Sequence, residues 1–142
     1  MQSQYNLLCR EDERELHPFC LDQGIGLLPW SPLARGKLTR DWDEPAMRIE
    51  SDPLGQTLYK QAEAEDRKIT EAVAAVAAER GVSRAQVALA WLVQREIVTS
   101  PVVGATRMHH LEEAVAAVDL ELSAAECERL ESPYVPHALE GF

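Results

Sequence analysis

Two stretches of this chain set cations beside backbone amides that could hold an anion. The first, "GIGLLPWSPLARGKLTRDW" at 24–42, leaves an apolar run through Trp30, Ser31, Pro32 and Leu33 and enters Arg35, Lys37 and Arg40. The second, "SPVVGATRMHHLEE" at 100–113, leaves another apolar run and enters Gly104, Thr106, Arg107, His109, His110 and Glu113. Turns and helix starts present unpaired N–H groups, and with guanidinium or ammonium groups close by they suit a phosphate-bearing ligand. The formal net charge of the whole chain is -10, so these local cations stand out against an acidic background. Arginine and lysine in loops are ordinarily just solvated. Two such loops become a site only if the fold brings them to one rim.

Other chemistries find less support. His17, His109, His110 and His137 have no ligand spacing with Cys9, Cys20 and Cys127, so no metal site is expected. Ser31 lacks the glycine-flanked elbow of a hydrolase nucleophile. Glu63, Glu65, Asp66 and Glu71 read as a solvated helix face. Overall acidity argues against nonspecific nucleic-acid binding, which needs a basic face. No apolar run approaches the roughly 18 residues that cross a membrane, and the start is no leader, so a cytoplasmic protein without membrane contact is expected. The cysteines, three in number and without a CxxC pair, read as idle thiols in a reducing compartment.

The elements that must position the two stretches follow from pattern. The start, around Tyr5-Asn6-Leu7-Leu8, resembles the end of a strand. Residues 10–22 turn helical, with Leu16, Phe19 and Cys20 on one side, Pro18 delaying or kinking the helix, and Gly24 ending it. "IGLLPW" and "IVTSPVVGA" are apolar runs expected as strands buried on both faces. Residues 34–58 form a long loop. A helix is expected over 57–80, with Ile69, Val73, Val76 and Ala77 on its inner side and Gly81 as its stop. "SRAQ" at 83–86 and "SAAE" at 123–126 are capping boxes opening two further helices. Between them "MHHLEEAVAAV" is helical. Strands separated by helices require crossover connections and a parallel sheet, and ligands then bind at the carboxyl ends of the strands. Both cation-bearing stretches fall on that rim.

The motifs "QSQYNLLCREDERELHPFC", "GIGLLPWSPLARGKLT", "VSRAQVALAWLV", "SPVVGATRMHHLEEA" and "LSAAECERLE", in this order, closely resemble the carboxyl-terminal half of aldo-keto reductases. The nearest branch looks like the bacterial reductases related to potassium-channel β-subunits. The resemblance runs from Gln2 to Phe142. It implies an α/β chain forming the carboxyl-terminal half of a (β/α)8 TIM barrel, with parallel strands and outer helices, that binds NADP(H) at its rim.

Residue by residue, the resemblance gives Gln2 a contact to the nicotinamide carboxamide. It wraps Trp30, Ser31, Pro32 and Leu33 around the nicotinamide and pyrophosphate. Lys37 approaches the phosphates and Arg48 packs by the adenosine. Gly104, Thr106 and Arg107 surround the 2'-phosphate, with His110 in a place usually held by Gln or Arg and Glu113 near the adenine amine. Ala114 stands where the family often has Asn, which removes one adenine hydrogen bond. The family's catalytic Tyr, Lys, Asp and His all precede the strand with which this chain starts. A full barrel takes about 250 residues, and this chain has 142. The resemblance therefore implies a cofactor-binding half without the catalytic tetrad. Its partners would be a small carbonyl substrate in the complete enzyme, and a missing amino-terminal half or a second copy at the open sheet edges. A non-catalytic binding or scaffold module and an inactive remnant stay open as alternatives.

Overall fold

The computed structural model describes residues 1–44 and 62–138. Arg48 and the expected helix start at 57–61 lie outside them. Three extended segments run side by side at the centre. Leu28 and Trp30 donate their N–H groups to the carbonyls of Met1 and Ser3, at 2.8 and 2.9 Å. On the other side Leu27 donates to Ile97 at 2.9 Å, and Thr99 and Val102 donate back to Leu27 and Pro29, each at 2.8 Å. The two long-range bridges, Gln4 to Trp30 and Leu27 to Val98, are both parallel, as crossover connections demand. Residues 27–30 are thus the middle of three, flanked by 1–4 and 97–102.

The strands are shorter and less covered than expected. Among the described residues pairing is confined to isolated bridges. Leu27 is fully buried, yet Ile25 and Leu28 are each 40% exposed, and Val102 and Val103 are open as well. The reason is the alternation of side chains along extended backbone. One face of the sheet packs under the helices, and nothing among the described residues covers the other. Gly26 marks how closely the middle segment meets its neighbour: a Cβ there would intrude on the Thr99 hydroxyl and lie 3.2 Å from Thr99 Cβ. Threonine is branched at Cβ and cannot swing clear. Gly26→Ala is expected to destabilise the chain by about 1–3 kcal/mol in urea unfolding. Adding Thr99→Ala should recover much of that loss; no recovery would refute the close approach.

The helices follow their local signals. Helix α1, Leu16–Asp22, starts late, so that Pro18 falls in the first turn, where its missing N–H is not needed. A 3-10 turn, Glu11–Glu13, precedes it. Gly24 after α1 and Gly81 after the next helix take φ of 64° and 67°, the left-handed values that glycine tolerates. Helix α2, Glu63–Arg80, buries Ile69, Val73, Val76 and Ala77. It also buries Asp66, which corrects the expected solvated face: Asp66 lies one turn ahead of Ile69 and Thr70, on the same side. Helix α3, Arg84–Val93, opens with the full Ser83–Gln86 capping box and buries six consecutive residues from Val87 to Leu92. A helix apolar on every side belongs between layers, and α3 packs against α2 and the sheet-side turns at the centre of the core. Helix α4, Met108–Ala116, continues into a 3-10 turn, Ala117–Asp119. Helix α5, Ala124–Glu131, opens with the Ser123–Glu126 box.

Candidate functional site

The turn after the middle segment is built from strained backbone. Ser31, Ala34 and Arg35 take positive φ of 56°, 47° and 55°, and Gly36 takes 89°. Residues with a Cβ resist this region, so the surrounding contacts must hold them there, and such strain gathers at functional sites. The holding contacts are visible. The fully buried Asn6 donates from Nδ2 to the Ser31 carbonyl at 2.9 Å, while its Oδ1 accepts from the Leu8 N–H at 2.9 Å. Ala34 N–H donates back to Ser31 O at 3.0 Å, Gly36 N–H to Leu33 O at 2.8 Å, and the Thr39 hydroxyl to Gly36 O at 2.9 Å. What the sequence presents as an open loop is, over Ala34–Thr39, a pair of tight helical turns anchored by buried Ala34 and Leu38.

This turn faces the second cation-bearing stretch across a cavity of about 760 Å³, which falls within the range of about 300–1,000 Å³ usual for ligand pockets. Ser31, Pro32 and Leu33 line it from one side. Gly104, Thr106, Arg107, His110 and Glu113 line it from the other. The start of α3 forms its floor through Ser83 and Arg84. The two stretches therefore share one rim.

Not every expected residue reaches this space. Trp30 is half-buried, is not among the residues lining the cavity, and is not part of the hydrophobic core. Gln2 is exposed on the flanking segment, away from the cavity wall. Lys37 points elsewhere: its Nζ sits 3.9 Å from the centre of the Trp42 ring. Burial lowers the pKa of this ammonium, and the Asp66 carboxylate opposes that shift. The cation that enters the cavity from this turn is instead Arg40, together with Arg35. Burial lowers the pKa of Arg40, with Glu44 acting against it. Its guanidinium lies where a side chain at position 36 would go, Nη1 being 3.1 Å from a Cβ built on Gly36. The sequence signal for Arg40 was its place among the cations after Leu33; spacing alone could not separate it from Lys37.

Electrostatically the cavity is cationic with two acids. Arg84 is paired with Asp41. Arg40 and Arg107 have no ion-pair partner among the described residues. Glu44 and Glu113 supply the negative charge. His109 and His110 stack edge to face, 4.3 Å apart, and His110 Nδ1 lies 3.5 Å from the Thr106 hydroxyl. A cavity with unpaired guanidinium groups and a strained, amide-rich turn can bind a phosphorylated ligand. Tyr5 is not among its lining residues: it is buried, donates to Glu13 Oε1 at 2.6 Å, and has its pKa pushed far up by that burial. Among the described residues no group of His, Cys, Asp or Glu could hold a metal ion, and no helix is long and apolar enough to cross a membrane.

Known proteins resemble this chain in sequence and in fold. The profile of the "Aldo/keto reductase family" matches residues 1–134. The chain is 42% identical over 141 residues to a versiconal hemiacetal acetate reductase of Aspergillus parasiticus, covering 98% of this chain and 41% of that protein. It is 43% identical over 142 residues to the aldo-keto reductase AMT2 of Alternaria alternata, covering 99% of this chain and 38% of that protein. The crystal structure of the thermostable aldo-keto reductase Tm1743 with the inhibitor epalrestat superposes with a TM-score of 0.68 at 26% identity, over 94% of this chain and 39% of that one. The chain thus spans about two-fifths of the length of these relatives. They identify the family; they do not single out the branch related to potassium-channel β-subunits.

Proposed function

Because the chain belongs to the aldo/keto reductase family, we propose that it is the nucleotide-holding portion of an NADPH-dependent carbonyl reductase. The observation that carries this reading is the shared cavity, with Arg40 from one turn and Arg107 from the other both lacking a partner among the described residues. Arg40 is partly buried, where an uncompensated guanidinium is costly, and Arg107 stands exposed opposite it, so the two suit a ligand with more than one phosphate. Arg107, Thr106 and Gly104 would take the 2'-phosphate, with His110 and Glu113 toward the adenosine. The Ser31–Leu33 turn and Arg40 would take the pyrophosphate, with Trp30 and Gln2 toward the nicotinamide.

When bound, NADPH supplies a hydride to a carbonyl carbon. This chain's part is to orient that cofactor and keep its phosphates neutralised. The proton for the developing alkoxide must come from an acid outside the cavity described here. General acid catalysis is worth about 10²–10⁴-fold. The 142-residue chain is therefore expected to quench or shift NADPH fluorescence on titration, yet to show no reduction of an aromatic aldehyde above the rate with free cofactor. Turnover above that rate would overturn the division of labour; absence of any binding would overturn the cofactor reading.

A second observation bears on partners. Met108, Leu111, Val115 and Val118 recur at helical spacing along α4 and its continuation, and are 69%, 47%, 62% and 66% exposed. With the open sheet face, this ridge supports pairing with an amino-terminal barrel portion, or failing that with a second copy. A strictly monomeric mass in solution, with no response to NADPH, would favour an inactive remnant.

A further inference from the structure

The sheet ladder and the cavity turn meet at one buried side chain. Along the middle segment Leu28 and Trp30 donate their N–H groups to Met1 and Ser3 at 2.8 and 2.9 Å, and the next donor in that alternation would be residue 32. Residue 32 is proline, which has no N–H. Main-chain donation toward the first segment ends there, and at Ser31 the backbone turns off with φ of 56°. The Ser31 carbonyl accepts twice, from the Ala34 N–H at 3.0 Å within the turn and from Asn6 Nδ2 at 2.9 Å. We propose that Asn6 is a positioning residue: its amide takes over the tie between the two segments where Pro32 ends the ladder, holds Ser31 in the left-handed region, and so presets the turn over 31–36 before a ligand arrives. The proposal rests on the nucleotide reading above and deepens it, by naming the residue outside the cavity that shapes one of its walls.

The amide is fixed before it reaches Ser31. Asn6 is fully buried, and its own N–H and C=O close a tight turn with the Cys9 carbonyl and N–H at 3.2 and 3.0 Å. Within that turn Oδ1 accepts from the Leu8 N–H at 2.9 Å, the asparagine turn in which a side chain caps the backbone two residues on. This contact decides which way the amide faces. With Oδ1 on a donor, Nδ2 is turned to donate to Ser31, and the flipped amide would set donor against donor and acceptor against acceptor. Leu7 and Leu8 are buried and root the turn in the core. Ser31, for its part, needs holding. A residue with a Cβ enters the left-handed region at a cost, and Ala34 and Arg35 follow it there at 47° and 55°. Relaxed to negative φ, Ser31 would redirect the chain and carry the amides of the turn off the cavity wall. A tie from the interior prevents this without occupying the space a phosphate would take.

The test is Asn6→Ser in the full chain, alone and together with Ser31→Gly. A serine hydroxyl supports the same local turn by accepting from the Leu8 N–H, but is too short to reach Ser31. Asn6→Ser is expected to weaken NADPH binding about tenfold in fluorescence titration, the upper end of what one hydrogen bond is worth. Glycine enters the left-handed region freely, so in the Ser31→Gly background the same change at Asn6 should weaken binding less than about threefold. In hydrogen exchange the Ala34 amide, which donates to Ser31, should exchange about tenfold faster in Asn6→Ser, while the buried Val73 and Val76 of α2 keep their rates. A residue that merely props the core would give equal losses in both backgrounds and speed exchange in α2 as well; either result overturns the proposal. Where Asn6→Ser does not fold, Ser31→Gly alone decides. Its urea midpoint is expected to rise as the strain at 31 is released, and a fall would leave Asn6 nothing to hold. If wild type binds no NADPH, the nucleotide reading falls, and exchange at Ala34 still decides whether Asn6 sets the turn.

Discussion

Arg107→Ala is expected to weaken NADP⁺ binding by about 10–100-fold while changing NAD⁺ binding less than about threefold. Hydrogen bonds to charged groups contribute about 1.5–3 kcal/mol each, and about 1.4 kcal/mol is tenfold in affinity. Arg107 has no ion-pair partner among the described residues, so none of those competes with a ligand for it. It is also exposed, and salt will screen it, so the full effect belongs at low ionic strength. Arg84→Ala makes the control: Arg84 lines the same cavity but is already paired with Asp41, and its loss should cost less. Fluorescence titration of both variants decides the matter. NADP⁺ affinity within twofold of wild type in Arg107→Ala would remove the 2'-phosphate from this corner of the cavity.

Trp91→Ala should have the largest effect on the fold, about 3–5 kcal/mol in urea or thermal unfolding. The indole is fully buried in the last turn of α3. Its ring is flanked by the Arg10 and Arg95 guanidinium groups, 5.6 and 4.9 Å from its centre, and by Tyr5 at 5.4 Å. Its Nε1–H donates to Glu131 Oε1 at 2.9 Å, the same oxygen that accepts from Arg95 at 2.8 Å. Alanine would leave a cavity and remove the surface on which two cations stack. Against a total stability of about 5–15 kcal/mol for an ordinary domain, that loss would take from about a fifth to the whole of the margin. Trp91→Phe keeps a ring and leaves Glu131 its two arginines, so a loss well under half that of alanine is expected. Equal losses for both variants would mean that the hydrogen bond, not the packing, dominates.

The parts of this fold that were legible in the sequence are those whose causes are local. The Ser83–Gln86 and Ser123–Glu126 boxes formed because the partners are three residues apart and need nothing else. The left-handed Gly24 and Gly81 ended their helices for the same reason. Burial of the sheet was misread because it depends on what lies across from it: Leu28 and Val102 are apolar in sequence and open in this chain. Asp66 was misread because charge suggested solvent, while its register beside Ile69 decided the side it faces. At the site, the meeting of the two stretches followed from their shared position after parallel segments. Which cation enters did not. Lys37 and Arg40 lie in one stretch, yet one reaches the Trp42 ring and the other lines the cavity.

Asn6 never touches the cavity, yet it clamps the carbonyl of Ser31 from within the core. The curvature of the turn that lines the cavity is thereby borrowed from the interior. Loosening the packing around Asn6 by heat, denaturant or a distant substitution should blunt ligand capture before the helices melt, so that recognition fails as an early symptom of a softened core.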